Sequence, residues 1–193
     1  MMYERSKSNV EGHVEVITGG MFSGKSEELV RRLRRADIAR QRVQAFKPRL
    51  DTRHEPTRLV TRDNREVEAI PVDGSADLRD KLELGVQVVG IDEAQFFDDG
   101  LVELVEDLAD RGLRVIVAGL DLDYRRRPFG PLQKLLAKAE FVDKMHAICV
   151  RCGGIAHYSQ RIAGGDERVE VGDVESYEAR CRRCYQEGLG DGG

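Results

Sequence analysis

Eight consecutive residues, Gly19-Gly20-Met21-Phe22-Ser23-Gly24-Lys25-Ser26, constrain this chain more than anything else in it. They satisfy G-x-x-x-x-G-K-[ST], and they lie between the β-branched run Val14-Glu15-Val16-Ile17 and a stretch from Glu27 to Gln41 that contains neither Pro nor Gly. Strand, glycine loop and helix in that order turn successive backbone N–H groups toward one anion, and the helix adds its positive end. Lys25 is then placed to reach the β- and γ-phosphates of a nucleotide, and Ser26 to ligate magnesium. An ordinary glycine turn is the competing explanation, and the strand-to-helix context speaks against it.

Such a site needs a second carboxylate near the metal, delivered from the end of a neighbouring apolar strand. Val86-Gln87-Val88-Val89-Gly90-Ile91 runs straight into Asp92-Glu93. Asp92 fits the metal position, and Glu93, leaving the same corner, suits a general base that takes a proton from an attacking hydroxyl. The alternative is that both acids only cap the helix that follows.

The remaining pattern extends the same architecture. Val43 to Phe46 is a second strand stopped by Pro48, and the polar stretch from Arg49 to Asn64 carries Asp51-Thr52-Arg53 in a loop. Val67–Val72 reads as a strand and Ala76–Leu84 as a short helix. Leu101, Leu104, Val105 and Leu108 recur at helical spacing, Leu113–Gly119 is apolar strand, and Pro131–Ala139 is a helix opened by proline. Alternating strands and helices imply an α/β fold, a mainly parallel sheet covered on both faces. Residues 12–145 are expected to form this domain, residues 146–187 a small metal-held β-rich unit, and residues 1–11 and 188–193 disordered tails.

A length of 193 residues suits one domain with a small appendage, and a net charge of −4 excludes a purely electrostatic nucleic-acid binder. No apolar run approaches the roughly 18 residues of a membrane span, and the start, Met1 to Lys7, lacks the apolar stretch of a secretory signal. A cytosolic protein with no membrane partner is expected. Arg31, Arg32, Arg34 and Arg35 resemble a basic patch. Glu27 and Glu28 precede Arg31 and Arg32 by four residues, however, which favours a solvated helix face.

The four cysteines are two pairs, Cys149/Cys152 and Cys181/Cys184, the spacing of a tetrahedral zinc site with every position filled by sulfur. A closed site of this kind holds strands together, whereas redox-active Cys-x-x-Cys is the alternative chemistry. His146 and His157 are near enough in sequence to be substitute ligands but are left out of the set. Tyr124-Arg125-Arg126-Arg127-Pro128-Phe129 follows a strand end, where an α/β sheet places ligands. Aromatics there can stack on a planar base, while a purely structural Phe129 is equally open.

These pieces together resemble the cytosolic, zinc-containing type of thymidine kinase, over almost the whole chain from Val14 to Cys184. The resemblance rests on Met21-Phe22-Ser23-Gly24-Lys25-Ser26, Asp51-Thr52-Arg53, Asp92-Glu93-Ala94-Gln95-Phe96-Phe97, Gly119-Leu120-Asp121, Arg127-Pro128-Phe129-Gly130 and Tyr177-Glu178-Ala179-Arg180-Cys181. It implies a P-loop NTPase-like fold with a zinc-held lasso loop. The activity implied is transfer of the γ-phosphoryl of ATP to the 5′-hydroxyl of thymidine, giving dTMP for DNA synthesis.

By the same resemblance Gly19, Gly20, Met21, Phe22, Ser23, Gly24, Lys25 and Ser26 bind ATP, joined by Asp51, Arg53, Gln95 and the magnesium-placing Asp92, and Glu93 is catalytic. Met21, Phe96, Leu120, Tyr124 and Phe129 line the nucleoside pocket. Tyr158, Ser159, Val169, Val171, Gly172 and Tyr177 close over the thymine ring, and zinc on the four cysteines anchors both ends of the lasso. A homotetramer inhibited by dTTP is implied as well. Tyr124 stands where the family often has phenylalanine, and its extra hydroxyl needs a partner. Two rival readings stand beside this one. An ATPase could grip nucleic acid through the cysteine knuckle, which requires a basic, salt-sensitive surface. A zinc-held binding module could instead carry a vestigial nucleotide site.

Overall fold

A computed structural model describes residues 12–49, 58–60, 66–163 and 176–190. Strand β1 (His13–Gly19) enters the glycine loop and helix α1 (Lys25–Ile38). Then come β2 (Val43–Pro48), β3 (Arg58–Val60), β4 (Glu66–Glu68), β5 (Ile70–Val72), α2 (Ser75–Lys81) and β6 (Val88–Ile91). A single 3-10 turn, Ala94–Phe96, leads to α3 (Gly100–Asp110), β7 (Arg114–Gly119), α4 (Leu132–Lys138) and β8 (Phe141–Met145). The C-terminal part is β9 (Ala147–Ile148), β10 (Ile155–Ala156), β11 (Tyr158–Arg161), β12 (Tyr177–Arg180) and α5 (Arg182–Gly190).

Six strands form one sheet in the order β5-β2-β6-β7-β1-β8, and every pairing in it is parallel. Period-2 alternation sorts its side chains. Val14, Val16, Val89, Ile91, Val115 and Val117 pack with Leu101, Leu104 and Leu108 of α3 and Leu132 and Leu135 of α4. Ile17, Ala45, Val88, Ile116 and Ala118 face Leu29, Val30, Leu33 and Ala36 of α1. Both faces of the inner strands are therefore dry, as a parallel sheet requires, and each fully buried leucine contributes about 1.5–3 kcal/mol of transfer free energy. Ala147, Cys149, Ala156, Ala179 and Cys184 make a separate small cluster, against which Phe22 of the glycine loop packs.

The mainly parallel α/β sheet follows the sequence expectation, with local differences. Helix α1 begins at Lys25 and stops at Ile38, short of Gln41, because Arg40 takes a left-handed φ of 60° and the N–H of Gln41 bonds back to Ala36 O at 3.1 Å. The expected strand Val67–Val72 divides at Ala69. Glu66–Glu68 pairs antiparallel with β3, while Ile70–Val72 pairs with β2 as an edge strand, which tolerates Pro71. Helix α5 continues to Gly190, into the segment expected as a tail. Arg32 is not on a solvated face. Its side chain is 13% exposed and bonds Glu15 and Asp143 at 2.6 Å each and Glu28 at 2.8 Å, tying α1 to β1 and β8.

Candidate active site

Parallel strands deliver their carboxyl ends to one edge of the sheet, and three of those ends build the site. At the end of β1, Gly24 holds φ 84°, a left-handed turn natural to glycine, so that α1 can start at the next residue. The first helical bond runs from Glu28 N–H to Gly24 O at 3.0 Å. The N–H groups before it lie outside the helical ladder, which is the donor set an oxyanion needs. Ser23 Oγ and Lys25 Nζ both donate to Gly20 O at 2.7 Å, folding the loop around a single carbonyl. The N–H of Met21 donates to Ser159 Oγ at 2.9 Å, stitching the loop to β11.

At the end of β6, Asp92 is buried and its Oδ2 accepts from Ser26 Oγ at 2.9 Å. Hydroxyl and carboxylate thus meet across the loop, oxygen ligands of the kind that could hold a magnesium ion. Burial lifts the Asp92 carboxyl to about 7, with the Glu93 charge adding to the rise and Ser26 opposing it. Burial also lowers the pKa of Lys25, against the pull of Glu93, Asp92 and Asp121, so those acids sit within electrostatic reach of the ammonium group.

Glu93 adopts φ 50° and ψ 41°, a left-handed conformation that costs a non-glycine residue on the order of 1 kcal/mol. Its neighbours hold it there. The Glu93 N–H donates to Asp92 Oδ1 at 2.9 Å, and Gln95 Nε2 donates to Glu93 Oε2. Gln95, expected among the nucleotide ligands, is buried, and its Oε1 accepts from the Leu120 N–H at 2.9 Å. Its place is that of a brace between the ends of β6 and β7. Gly130, at φ 57°, lets the chain cross the Gln95 backbone, where a Cβ would lie 2.2 Å from Gln95 O.

The loop after β7 carries Tyr124 and Phe129, two of the aromatic residues singled out in the sequence. Phe129 is buried, meets Phe96 edge-on at 5.6 Å between ring centroids, and donates its N–H to Asp121 O at 3.1 Å. The Tyr124 hydroxyl accepts from Arg125 Nε at 2.8 Å, which answers the need created by replacing phenylalanine. Ser159 reaches the glycine loop, whereas Tyr158 is buried beside Tyr185, 5.3 Å away, with Arg126 and Arg182 over its ring. Tyr177 lies at the start of β12. Asp51, Arg53, Val169, Val171 and Gly172 fall outside the described residues.

Cys149, Cys152, Cys181 and Cys184 bring their sulfurs within 4.8 Å of one another, with Cys152 and Cys181 3.6 Å apart. Four thiolates on one zinc at 2.3 Å stand about 3.8 Å from each other, so the donor set and its spacing fit that ion. All four thiols are free of disulfides. His146 and His157 meet edge to face, 4.5 Å between ring centroids, and stay out of the cluster. Two contacts were not marked in the sequence: the Thr18 hydroxyl bonding Gly119 O at 3.1 Å, and the Lys144–Asp121 ion pair at 2.7 Å. Both join residues more than twenty apart that only the strand order brings together, and no local pattern signals them.

Strand, left-handed glycine turn and helix, with a Ser–Asp pair across the loop, define a P-loop nucleotide-binding protein. The family model for thymidine kinase matches residues 12–185. A thymidine kinase of Porphyromonas gingivalis (strain ATCC 33277) is 54% identical over 175 residues, spanning 91% of this chain and 85% of that one. One from Bacteroides thetaiotaomicron is 49% identical over 182 residues, spanning 94% and 91%. One from Bdellovibrio bacteriovorus is 49% identical over 185 residues, spanning 96% and 91%. The chain belongs to the thymidine kinase family.

Proposed function

We propose that this protein transfers the γ-phosphoryl group of ATP to the 5′-oxygen of thymidine, yielding dTMP and ADP. The observation that supports it most is the corner where Ser26 meets Asp92 at 2.9 Å with Glu93 as the next residue. Residues Gly19 to Ser26 cradle the triphosphate, and Glu93 takes the proton from the thymidine 5′-hydroxyl as O5′ bonds to the γ-phosphorus and the bond to the ADP oxygen breaks. Ser26 and Asp92 would hold magnesium, which neutralises charge on the transferring group. The protein contributes mostly position and charge.

Met21, Phe96, Leu120, Tyr124 and Phe129 form the nucleoside wall in this reading, with Ser159 and Tyr177 closing it. Asp51 and Arg53 lie beside the transferred group, and Val169, Val171 and Gly172 contact the base. The four cysteines would hold structural zinc, so that residues 146–187 act as a metal-tied unit on the kinase domain 12–145. A cytoplasmic homotetramer inhibited by dTTP completes the proposal, on the family likeness alone.

The test is labelled phosphate transfer from γ-labelled ATP with magnesium to each natural nucleoside in turn. Labelled dTMP is the expected product. Release of inorganic phosphate alone, stimulated by DNA and not by thymidine, would replace this reading with a nucleic-acid-dependent ATPase.

A further inference from the structure

The proposed nucleoside wall contains two tyrosines on different parts of the chain, Tyr124 after β7 and Tyr177 at the start of β12. One side chain touches both. Arg161, at the end of β11, places its guanidinium carbon 3.9 Å from the centroid of the Tyr124 ring. From the same position its Nε and Nη2 donate to the Tyr177 hydroxyl at 3.1 and 2.6 Å. Stacking on one ring while forking hydrogen bonds to another group is a task for a planar, permanently charged head, and an ammonium cannot do both.

Tyr124 is gripped from a second side. The hydroxyl of Tyr185 donates to the Tyr124 carbonyl at 2.5 Å. Tyr185 is buried, follows Cys184 directly, and lies in α5, the helix that leaves the cysteine cluster. Its ring packs on Tyr158, and the guanidinium of Arg126 lies 5.0 Å from its centroid. Ring and carbonyl of Tyr124 are thus fixed by two elements that flank the cysteine cluster.

We propose that Arg161 and Tyr185 are positioning residues that set thymidine affinity by holding Tyr124 and Tyr177 in place. The inference rests on the kinase reading, since it takes those two tyrosines to face the nucleoside. The side-chain contacts described above for Arg161 and Tyr185 run to Tyr124, Tyr177, Tyr158 and Arg126, on the acceptor side of the proposed site. The clamp therefore acts on binding of the acceptor and leaves the donor and the chemical step alone.

The test compares Arg161→Met, Arg161→Lys and Tyr185→Phe with the parent in the full zinc-loaded chain. It reads KM for thymidine, KM for ATP, kcat, zinc content, and thymidine binding by calorimetry without ATP. Arg161→Met is expected to raise the thymidine KM and Kd together by about tenfold, leaving the other three readouts within about twofold. Arg161→Lys recovers part of that loss, and Tyr185→Phe, which removes a single hydroxyl, costs about threefold in the same two quantities. An unchanged thymidine KM in Arg161→Met overturns the clamp, as does a joint loss of zinc and of both substrates' affinities. If Arg161→Met does not fold, the other two variants decide, and indifference of both overturns it. A parent that labels no thymidine sinks the kinase reading itself, whereas an active parent with an indifferent Arg161→Met sinks the clamp alone.

Discussion

A glutamate held at φ 50° carries conformational strain in exchange for direction. Asp92 and Gln95 fix Glu93 between them, and Gln95 is fixed in turn by the Leu120 N–H and by the bare Cα of Gly130. Glu93→Gln keeps the shape and removes the proton acceptor proposed above. Its kcat is expected to fall by about 10²–10⁴-fold while the thymidine Kd, measured by calorimetry, moves little. An undiminished kcat would remove Glu93 from the chemistry. The position of the acid was legible, because the apolar strand runs straight into Asp92-Glu93. The brace was not, since Gln95 reaches a backbone group 25 residues away, and no local pattern encodes that distance.

At the scale of elements, α1 and β1 were legible from a motif and a period, whereas β8 was not. Phe141 to Met145 is mixed in polarity and largely exposed, so nothing in its hydropathy marks a sixth strand. What recruits it is partly charge. Arg32 on α1 reaches Asp143 of β8 as well as Glu15 of β1. Hydrogen bonding to Arg31, opposed by partial burial and helped by Arg32, holds the Glu28 carboxyl down at about 2, below its ordinary 4.5. A carboxyl depressed in the folded state stabilises fully above its unfolded pKa and loses that contribution as pH falls through the folded value. Glu28→Gln is therefore expected to melt below the parent at pH 7, with the difference shrinking between pH 4.5 and about 2 in a calorimetric series. A constant difference across that range would assign it to packing.

For the whole molecule, the cysteine cluster and the glycine loop are mechanically one object. Phe22 packs on the cluster's apolar neighbours, Met21 bonds Ser159, and Tyr185 leads from Cys184 to the aromatic wall. Replacing Cys152 or Cys184 by Ser is expected to release zinc and lower the melting temperature by about 5–10 °C, or ~2–3 kcal/mol. The thymidine KM should rise with it. Chelation that leaves both quantities intact would show the cluster to be dispensable. The two Cys-x-x-Cys pairs announced a metal-type site in the sequence, but its attachment to the loop did not show, because it runs through a serine hydroxyl and a phenylalanine with no pattern of their own.

Strand β1 sits between β7 and β8, and its Val14 N–H bonds the Glu140 carboxylate at 2.7 Å. Both lateral neighbours of β1 thus come from the later part of the chain, and β8 is the last strand to join the sheet. A nascent chain carries its complete nucleotide motif through more than a hundred residues of synthesis before β7 and β8 exist to flatten β1 into place. Until then the motif has its letters without the two parallel pairings that hold its strand in the sheet.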